Sequence, residues 1–184
     1  PFPSAIDWDQ STGWTKTNID NAIYFWNPNL GSVGSYVSYP PTGTNGATNI
    51  IPSGQGFMVH VSNDQTAGSI TVNNNSRLHH GKQFLKESQA EPAHPYLSLK
   101  ACSELNSYSD ETIIQFFNAA TTGFDPLSDA LKMPGLDEAP QLYTLISDPY
   151  KLSINTYPDL VVNTIIQLGF ETGISGIYTI EVKD

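Results

Sequence analysis

The clearest structural signal in the chain is the segment Tyr178-Thr179-Ile180-Glu181-Val182-Lys183, in which apolar and polar residues alternate strictly. Successive side chains of a β-strand point to opposite faces, so this alternation predicts a strand with one apolar and one polar face. Tyr178, Ile180 and Val182 are expected to point into a hydrophobic core. Their polar neighbours are expected to face solvent.

Counting this segment, strand candidates recur along the chain, some alternating and others runs of β-branched and aromatic residues, and turn-forming Asn, Pro or Gly residues close several of them. They span residues 22–26, 36–39, 56–61, 69–72, 97–100, 112–117, 142–146, 152–154, 164–170 and 177–183. Short strands at turn-marked spacing are typical of antiparallel sandwiches and barrels. The sequence therefore predicts an all-β fold, an antiparallel β-sandwich of jelly-roll or immunoglobulin-like architecture with at most one or two short helical turns.

Helical signals are weak, because no apolar stripe at helical spacing lasts ten residues. The best candidate begins at Asp125-Pro126, where an acceptor side chain at the N-cap precedes a proline at the first helical position. It is expected to give a turn or two through residues 127–131 before Pro134-Gly135 ends it.

The composition changes near the middle of the chain. Residues 86–95 are polar, contain two prolines and lack periodicity, which is typical of a linker. Residues 1–90 carry a net charge of -1 and ten of the fourteen Asn, whereas residues 91–184 carry a net charge of -9. We therefore predict two units, an Asn- and aromatic-rich β unit at 1–85 and an acidic β-sandwich unit at 96–184, joined by the linker at 86–95.

The overall composition excludes several classes of protein. Eight Lys plus Arg against 18 Asp plus Glu give 184 residues a net charge of -10, so binding of nucleic acid through a basic face is excluded. The same charge argues against docking on an anionic membrane, and no apolar run approaches the roughly 18 residues of a spanning helix. The single cysteine, Cys102, excludes an intramolecular disulfide framework.

No motif for catalysis stands out. The chain has no G-x-S-x-G elbow, Walker loop, H-E-x-x-H or G-x-G-x-x-G sequence. The glycine cluster Pro52-Ser53-Gly54-Gln55-Gly56 precedes a strand rather than a helix, which favours a turn over a phosphate site. Carboxylates are abundant, but the sequence does not show two of them facing each other as glycoside hydrolysis requires. We expect no enzyme activity and assign no catalytic residue.

Aromatic residues offer a candidate binding site. Six of them crowd the first unit among Asn and Thr residues, and four are the candidate sugar ligands: Trp8, Trp14, Tyr24 and Trp26. Flat rings can stack on the apolar faces of sugars while amides bond their hydroxyl groups. The alternative is that these large rings form the core of a unit with few Leu residues.

The sequence offers a partial signal for calcium. Asp7 and Asp9 have the alternate spacing that opens a calcium loop, but Thr12 replaces the required glycine and Asn18 the closing glutamate. Asp125 and Asp129 belong to a second acidic cluster, for which a solvated acidic face is the alternative. We expect no cofactor and no metal, and these four residues are the candidates if calcium does bind.

Several motifs resemble a known family along nearly the whole chain. They are found at residues 1–8, 13–14, 21–26, 51–57, 109–112, 120–125, 129–130, 138–143, 152–155 and 176–179, and include Phe2-Pro3-Ser4-Ala5-Ile6-Asp7-Trp8 and Ile51-Pro52-Ser53-Gly54-Gln55-Gly56-Phe57. The chain resembles the β-rich segment of large secreted and cell-surface proteins of Bacteroidetes, of the kind that precedes a type IX secretion sorting domain. In that family a strand ending in Gly-Asn leads the first motif. The resemblance therefore implies that this chain is a fragment whose first unit is truncated at its N-terminus.

Three functional hypotheses follow. The first is a non-enzymatic module of a larger secreted or outer-surface protein, acting in spacing, presentation or adhesion, with the other domains of the same chain as partners. The second is a carbohydrate-binding module that uses exposed Trp and Tyr, with polysaccharide as its partner. The third is an accessory or catalytic fragment of a glycoside hydrolase.

Overall fold

A computed structural model describes residues 4–29, 34–40, 43–62, 65–78, 94–146, 150–159 and 164–183. Within these residues the chain forms fifteen strands, and helical structure is limited to two 3-10 turns at Thr44–Gly46 and Asn74–Ser76. The predicted all-β class is thereby confirmed. The strands are β1 (Ala5–Asp7), β2 (Trp14–Thr17), β3 (Ile19–Asn27), β4 (Ser35–Tyr39), β5 (Ile50–Ile51), β6 (Met58–Val61), β7 (Ser69–Val72), β8 (Arg77–Leu78), β9 (Tyr96–Ser103), β10 (Ser109–Phe116), β11 (Ala130–Leu131), β12 (Gln141–Leu145), β13 (Lys151–Tyr157), β14 (Gln167–Glu171) and β15 (Tyr178–Lys183).

The first eight strands form three small sheets, in the orders β5-β1-β8, β2-β7 and β4-β3-β6. Their shared core is built on one face of β3, from which Ile23 and Phe25 project. Trp8, Val37, Ala47 and Ile51 complete this buried cluster. Aromatic rings thus provide much of the buried area in this part of the chain.

The remaining strands form one seven-stranded sheet, in the order β14-β12-β13-β10-β9-β15, with β11 also pairing with β13. Only β10 and β13 are parallel among the strand pairs of the described residues. A parallel pair needs a long crossover, and here the connection carries β11 and β12. The two edge strands, β14 and β15, are consecutive in the chain. The sheet curls so that these edges approach each other, and Phe170 of β14 and Tyr178 of β15 lie with their ring centroids 5.2 Å apart.

The curled sheet has its own core, formed by Leu99, Ala101, Ile114 and Leu142. Val182 pairs with Leu99 and Ile180 with Ala101, so these side chains share the core face as predicted. The prediction that they point into a core was wrong, however, because Ile180 is 46% exposed and Val182 61% exposed. Alternation selects the face of a strand, but cover by other elements decides whether that face is buried.

The predicted helical turns at 127–131 were also wrong in part. Asp125 caps a single turn, since its Oδ1 accepts from the backbone N–H of Leu127 at 3.0 Å and its carbonyl oxygen from that of Asp129 at 2.7 Å. The chain then enters β11, where Ala130 pairs with Ile154. Pairing with a buried neighbouring strand outweighs the local helix signal.

The two groups of strands contact each other through a third cluster. Ala22 and Tyr24, from the second face of β3, pack with Ile113, Ala130 and Ile154 of the large sheet. Polar contacts join the same surfaces: the hydroxyls of Ser38 and Ser153 lie 3.0 Å apart, and the Asn21 N–H donates to the Pro126 carbonyl at 2.8 Å. The predicted linker at 86–95 lies outside the described residues apart from its last two positions.

Candidate functional site

The large sheet covers only part of strand β3, and Trp26 is the exposed residue near the end of that strand. Ala22, Tyr24 and Trp26 alternate along one face, and the first two are buried against the large sheet. Trp26 is 38% exposed. Its cross-strand partner is Tyr36, with the two ring centroids 5.0 Å apart and the planes inclined by 75°. The end of the β3–β4 pair therefore presents two aromatic rings at a corner.

The indole of Trp26 is held in place by a close approach to the backbone. Gly34 has a φ of +92°, a conformation that favours glycine. A Cβ atom at Gly34 would lie 2.8 Å from Cζ2 of Trp26 and 2.8 Å from the Asn27 carbonyl oxygen. Glycine at this position thus allows the indole to pack directly against the backbone.

These two rings form one wall of a pocket of about 620 Å³. This volume falls within the range of roughly 300–1,000 Å³ that is typical of small-molecule sites. The described residues that line it combine aromatic, apolar and amide side chains with glycine backbone and include no charged group: Tyr24, Trp26, Pro28, Asn29, Tyr36, Gly54, Gln55, Gly56, Phe57 and Met58. The pocket can therefore contact apolar surface and bond uncharged polar groups.

Gln55 supplies an oriented amide at this pocket. Its side-chain Nε2 donates to the Gly56 carbonyl at 2.9 Å, and its backbone N–H donates to Pro52 at 3.1 Å. Both bonds arise within the turn that the glycine cluster predicted. Neither bond uses the carbonyl oxygen Oε1, which can accept a hydrogen bond from a ligand in the pocket that Gln55 lines.

The structure separates the four candidate sugar ligands. Trp8 is 1% exposed in the first core, where its indole N–H donates to the Asn21 carbonyl at 2.6 Å. Trp14 is half-buried and packs edge-on to Trp8 at 4.9 Å. Tyr24 is buried in the contact with the large sheet, and its hydroxyl bonds the backbone of Leu131. Of the four candidates, Trp26 has an exposed ring, and this ring lines the 620 Å³ pocket.

A smaller, polar pocket of about 290 Å³ lies beside Trp8 and Trp14. Lys16 enters it with Nζ 3.4 Å from the centre of the Trp8 ring, and donates to Asn21 Oδ1 at 3.0 Å. Burial lowers the pKa of Lys16 to about 8, although the nearby carboxylate of Asp9 acts in the opposite direction. These contacts make Lys16 a cap over the edge of the aromatic core.

The first pair of calcium candidates is engaged with protein donors. Asp7 Oδ1 accepts from Asn49 Nδ2 at 2.7 Å and from the Asp9 N–H at 3.0 Å. Asp9 Oδ2 accepts from the Tyr39 hydroxyl at 2.6 Å. Burial and this bond to Asp9 raise the pKa of Tyr39. The two carboxylates thus brace the loop after β1.

The second pair braces the turn before β11. Asp129 Oδ1 accepts from both the N–H and the hydroxyl of Thr156 at 2.7 Å, and its Oδ2 accepts from the Asp125 N–H at 2.8 Å. Within the ranges that the structure describes, no three His, Cys, Asp or Glu side chains are grouped so as to hold a metal ion.

Asp129 gives a testable pH dependence. Burial raises its pKa from 3.8 to about 6, despite the bonds from Asp125 and Thr156 that favour the charged form. The unfolded chain therefore loses this proton at a lower pH than the folded chain, so a rise in pH from about 4 to 6 favours unfolding. We expect the unfolding free energy of the wild type, relative to Asp129→Asn, to fall by about 3 kcal/mol over this interval. Urea unfolding at a series of pH values measures it, and a difference that is constant with pH contradicts it.

The sequence did not single out Asn29, Gln55, Phe57 and Met58 as binding residues. A usable signal exists for the site as a whole, because pairing the segments 22–26 and 36–39 as a hairpin places Trp26 near Tyr36. Residues on the loop between Pro52 and Met58 reach the pocket through tertiary packing, which no local pattern reveals.

Comparison with known proteins adds a family. The model of a family described as a domain of unknown function (DUF8693) matches residues 1–184, so the chain belongs to that family. No curated protein and no solved structure matches the chain. Among the residues that the structure describes, no helix is long and apolar enough to cross a membrane.

Proposed function

We propose that this DUF8693 domain is a non-enzymatic module of a larger secreted or cell-surface protein, and that it binds carbohydrate in the pocket beside Trp26. The resemblance of its motifs to β-rich segments of secreted Bacteroidetes proteins supports the location. The other domains of the same chain would then be its permanent partners, and a polysaccharide its ligand.

The observation that carries the binding function is the corner between exposed Trp26 and half-buried Tyr36, in a pocket that the Gln55 amide also lines. Pyranose rings have apolar C–H faces that pack on aromatic rings, and hydroxyl groups that need hydrogen-bond partners. Trp26 offers the ring and Gln55 Oε1 the acceptor, in the same pocket. The indole packs against the backbone at Gly34, and a side chain that is packed before binding loses less entropy when a ligand binds.

The same lining favours binding over hydrolysis. Glycoside hydrolases need a pair of carboxyl groups at the scissile bond, with few exceptions. The described residues that line the pocket include neither carboxylate nor histidine. The four carboxylates that the sequence offered as calcium candidates, Asp7, Asp9, Asp125 and Asp129, do not line this pocket and accept hydrogen bonds from other protein groups. The described lining of this pocket therefore suits a module that binds a ligand without hydrolysing it.

Trp26→Ala is expected to weaken carbohydrate binding at least tenfold. The change removes an aromatic ring, whose full burial contributes about 1.5–3 kcal/mol, and a tenfold loss corresponds to about 1.4 kcal/mol. Affinity electrophoresis against a panel of polysaccharides finds the ligand, and isothermal titration calorimetry then measures the affinity.

Tyr96→Ala is the matched control, because Tyr96 is an exposed aromatic residue of β9 that does not line the pocket. It should bind like the wild type. Equal losses in the two variants, or retention of full affinity by Trp26→Ala, would remove the Trp26 pocket from the proposal.

A further inference from the structure

We infer that the ligand of the Trp26 pocket is the end or a bent stretch of a single, uncharged glycan chain, and neither a uronic-acid polymer nor the flat face of a crystalline polysaccharide. This inference rests on the proposed function and specifies its substrate class. Two observations carry it, the charge of the lining and the angle between the aromatic rings.

The lining is uncharged in an acidic protein. No Lys, Arg or His is among the described residues that form the pocket, so a carboxylate on the ligand would lose water without gaining a cationic partner. The chain as a whole has a net charge of -10, which repels polyanions at longer range. An uncharged sugar avoids both costs, because its hydroxyls can bond Gln55, Asn29 and the glycine backbone.

The ring geometry excludes a flat ligand. Binding to a crystalline surface requires aromatic rings that lie in one plane, so that each ring stacks on the same face. Trp26 and Tyr36 are inclined by 75° with centroids 5.0 Å apart, and therefore form a corner. One sugar unit can stack on one of the two rings while the other ring, inclined to it, closes the side of the site. Such a corner accommodates a chain end or a turn in a chain.

Gly56 lies at the pocket and gives a way to block it. A Cβ atom added at Gly56 would meet nothing within 4 Å, so a larger side chain can be introduced without a clash at its first atom. We expect Gly56→Leu to leave the thermal unfolding temperature unchanged within about 2 °C, as for most surface substitutions. The same variant should lower glycan affinity at least tenfold by occupying the site.

The decisive experiment uses probes matched in linkage. Calorimetry on the full chain compares soluble hexasaccharides of β-1,4-linked glucose, mannose and xylose, and of α-1,4-linked glucose, with β-1,4-linked oligomers of glucuronic and mannuronic acid. Pull-down on microcrystalline cellulose then tests the same glucose chain in a flat lattice. We expect at least one neutral hexasaccharide to bind, both uronic-acid oligomers to bind at least tenfold more weakly than it does, and no Trp26-dependent retention on cellulose.

The alternative outcomes separate the two proposals. Trp26-dependent binding of a uronic-acid oligomer in preference to the neutral probes, or binding to cellulose alone, would overturn this inference and leave carbohydrate binding intact. Failure of every probe would overturn the proposed function as well. Self-association that Trp26→Ala abolishes, in the absence of sugar binding, would assign the pocket to a protein contact and overturn both.

Discussion

Trp8→Ala is expected to lower the free energy of unfolding by about 3–5 kcal/mol, the range found when large aromatic residues are removed from cores. Trp8 is 1% exposed and packs edge-on to Trp14 at 4.9 Å and to Phe57 at 5.9 Å. The change also removes the indole donor to the Asn21 carbonyl and the ring under Lys16. Urea unfolding followed by circular dichroism measures the loss.

Trp26→Ala is the control for this prediction, since it removes the same side chain from an open position. It is expected to cost on the order of 1 kcal/mol, because the ring is 38% exposed and lies outside the buried clusters. Equal losses for the two variants would contradict the assignment of Trp8 to the core and Trp26 to a binding surface.

Lys132→Met is expected to destabilise the large sheet by about 3–5 kcal/mol, the cost of leaving one member of a buried ion pair without its partner. Lys132 Nζ lies 2.6 Å from Asp110 Oδ2, and both side chains are buried. The same carboxylate accepts from the Leu142 backbone N–H at 2.6 Å, so it joins β10 to β12. Methionine keeps the length of the side chain but leaves Asp110 without its cationic partner.

Lys151→Met is the matched control. Lys151 also forms an ion pair of 2.6 Å, with Glu171, but the side chains of both residues are exposed. Exposed pairs contribute little to stability, so this variant should unfold close to the wild type. A loss for Lys132→Met no larger than for Lys151→Met would show that the buried pair does not stabilise the sheet. Chemical unfolding at low and high salt distinguishes the two, since screening weakens the exposed pair more.

Only part of the strand pattern of this fold was predictable from local sequence, since none of the short strands β1, β2, β5, β8 and β11 was predicted. The segment 69–72 coincides with β7, and 22–26 lies within β3, because β-branched and aromatic residues followed by Asn or Pro give strong strand and turn signals. The core face of β15 was predictable for the same reason. Its exposure was not, because it depends on how far other strands cover Ile180 and Val182, which is a property of the tertiary fold.

The candidate site shows the same limit. Tyr24 and Trp26 occupy equivalent positions in the alternation of β3, and nothing in the local pattern separates them. Tyr24 is buried because Ile113, Ala130 and Ile154 pack against it, and these residues lie about 90 to 130 positions later in the chain. Trp26, two residues further along β3, is exposed and does not belong to this buried cluster. Aromatic composition could therefore predict a candidate set, but only the tertiary fold distinguishes core rings from binding rings.

The most direct test of carbohydrate binding at Trp26 is the response of the three indole N–H signals in a ¹⁵N–¹H correlation spectrum during titration with neutral hexasaccharides. The Trp8 and Trp14 indoles donate to backbone carbonyls, of Asn21 and Asp7 respectively, each at 2.6 Å, and Trp26 lines the pocket. We predict that a neutral hexasaccharide shifts the Trp26 signal, identified by its loss in Trp26→Ala, and leaves the other two in place. A spectrum in which no hexasaccharide moves the Trp26 signal, or in which the Trp14 signal moves instead, would contradict the account.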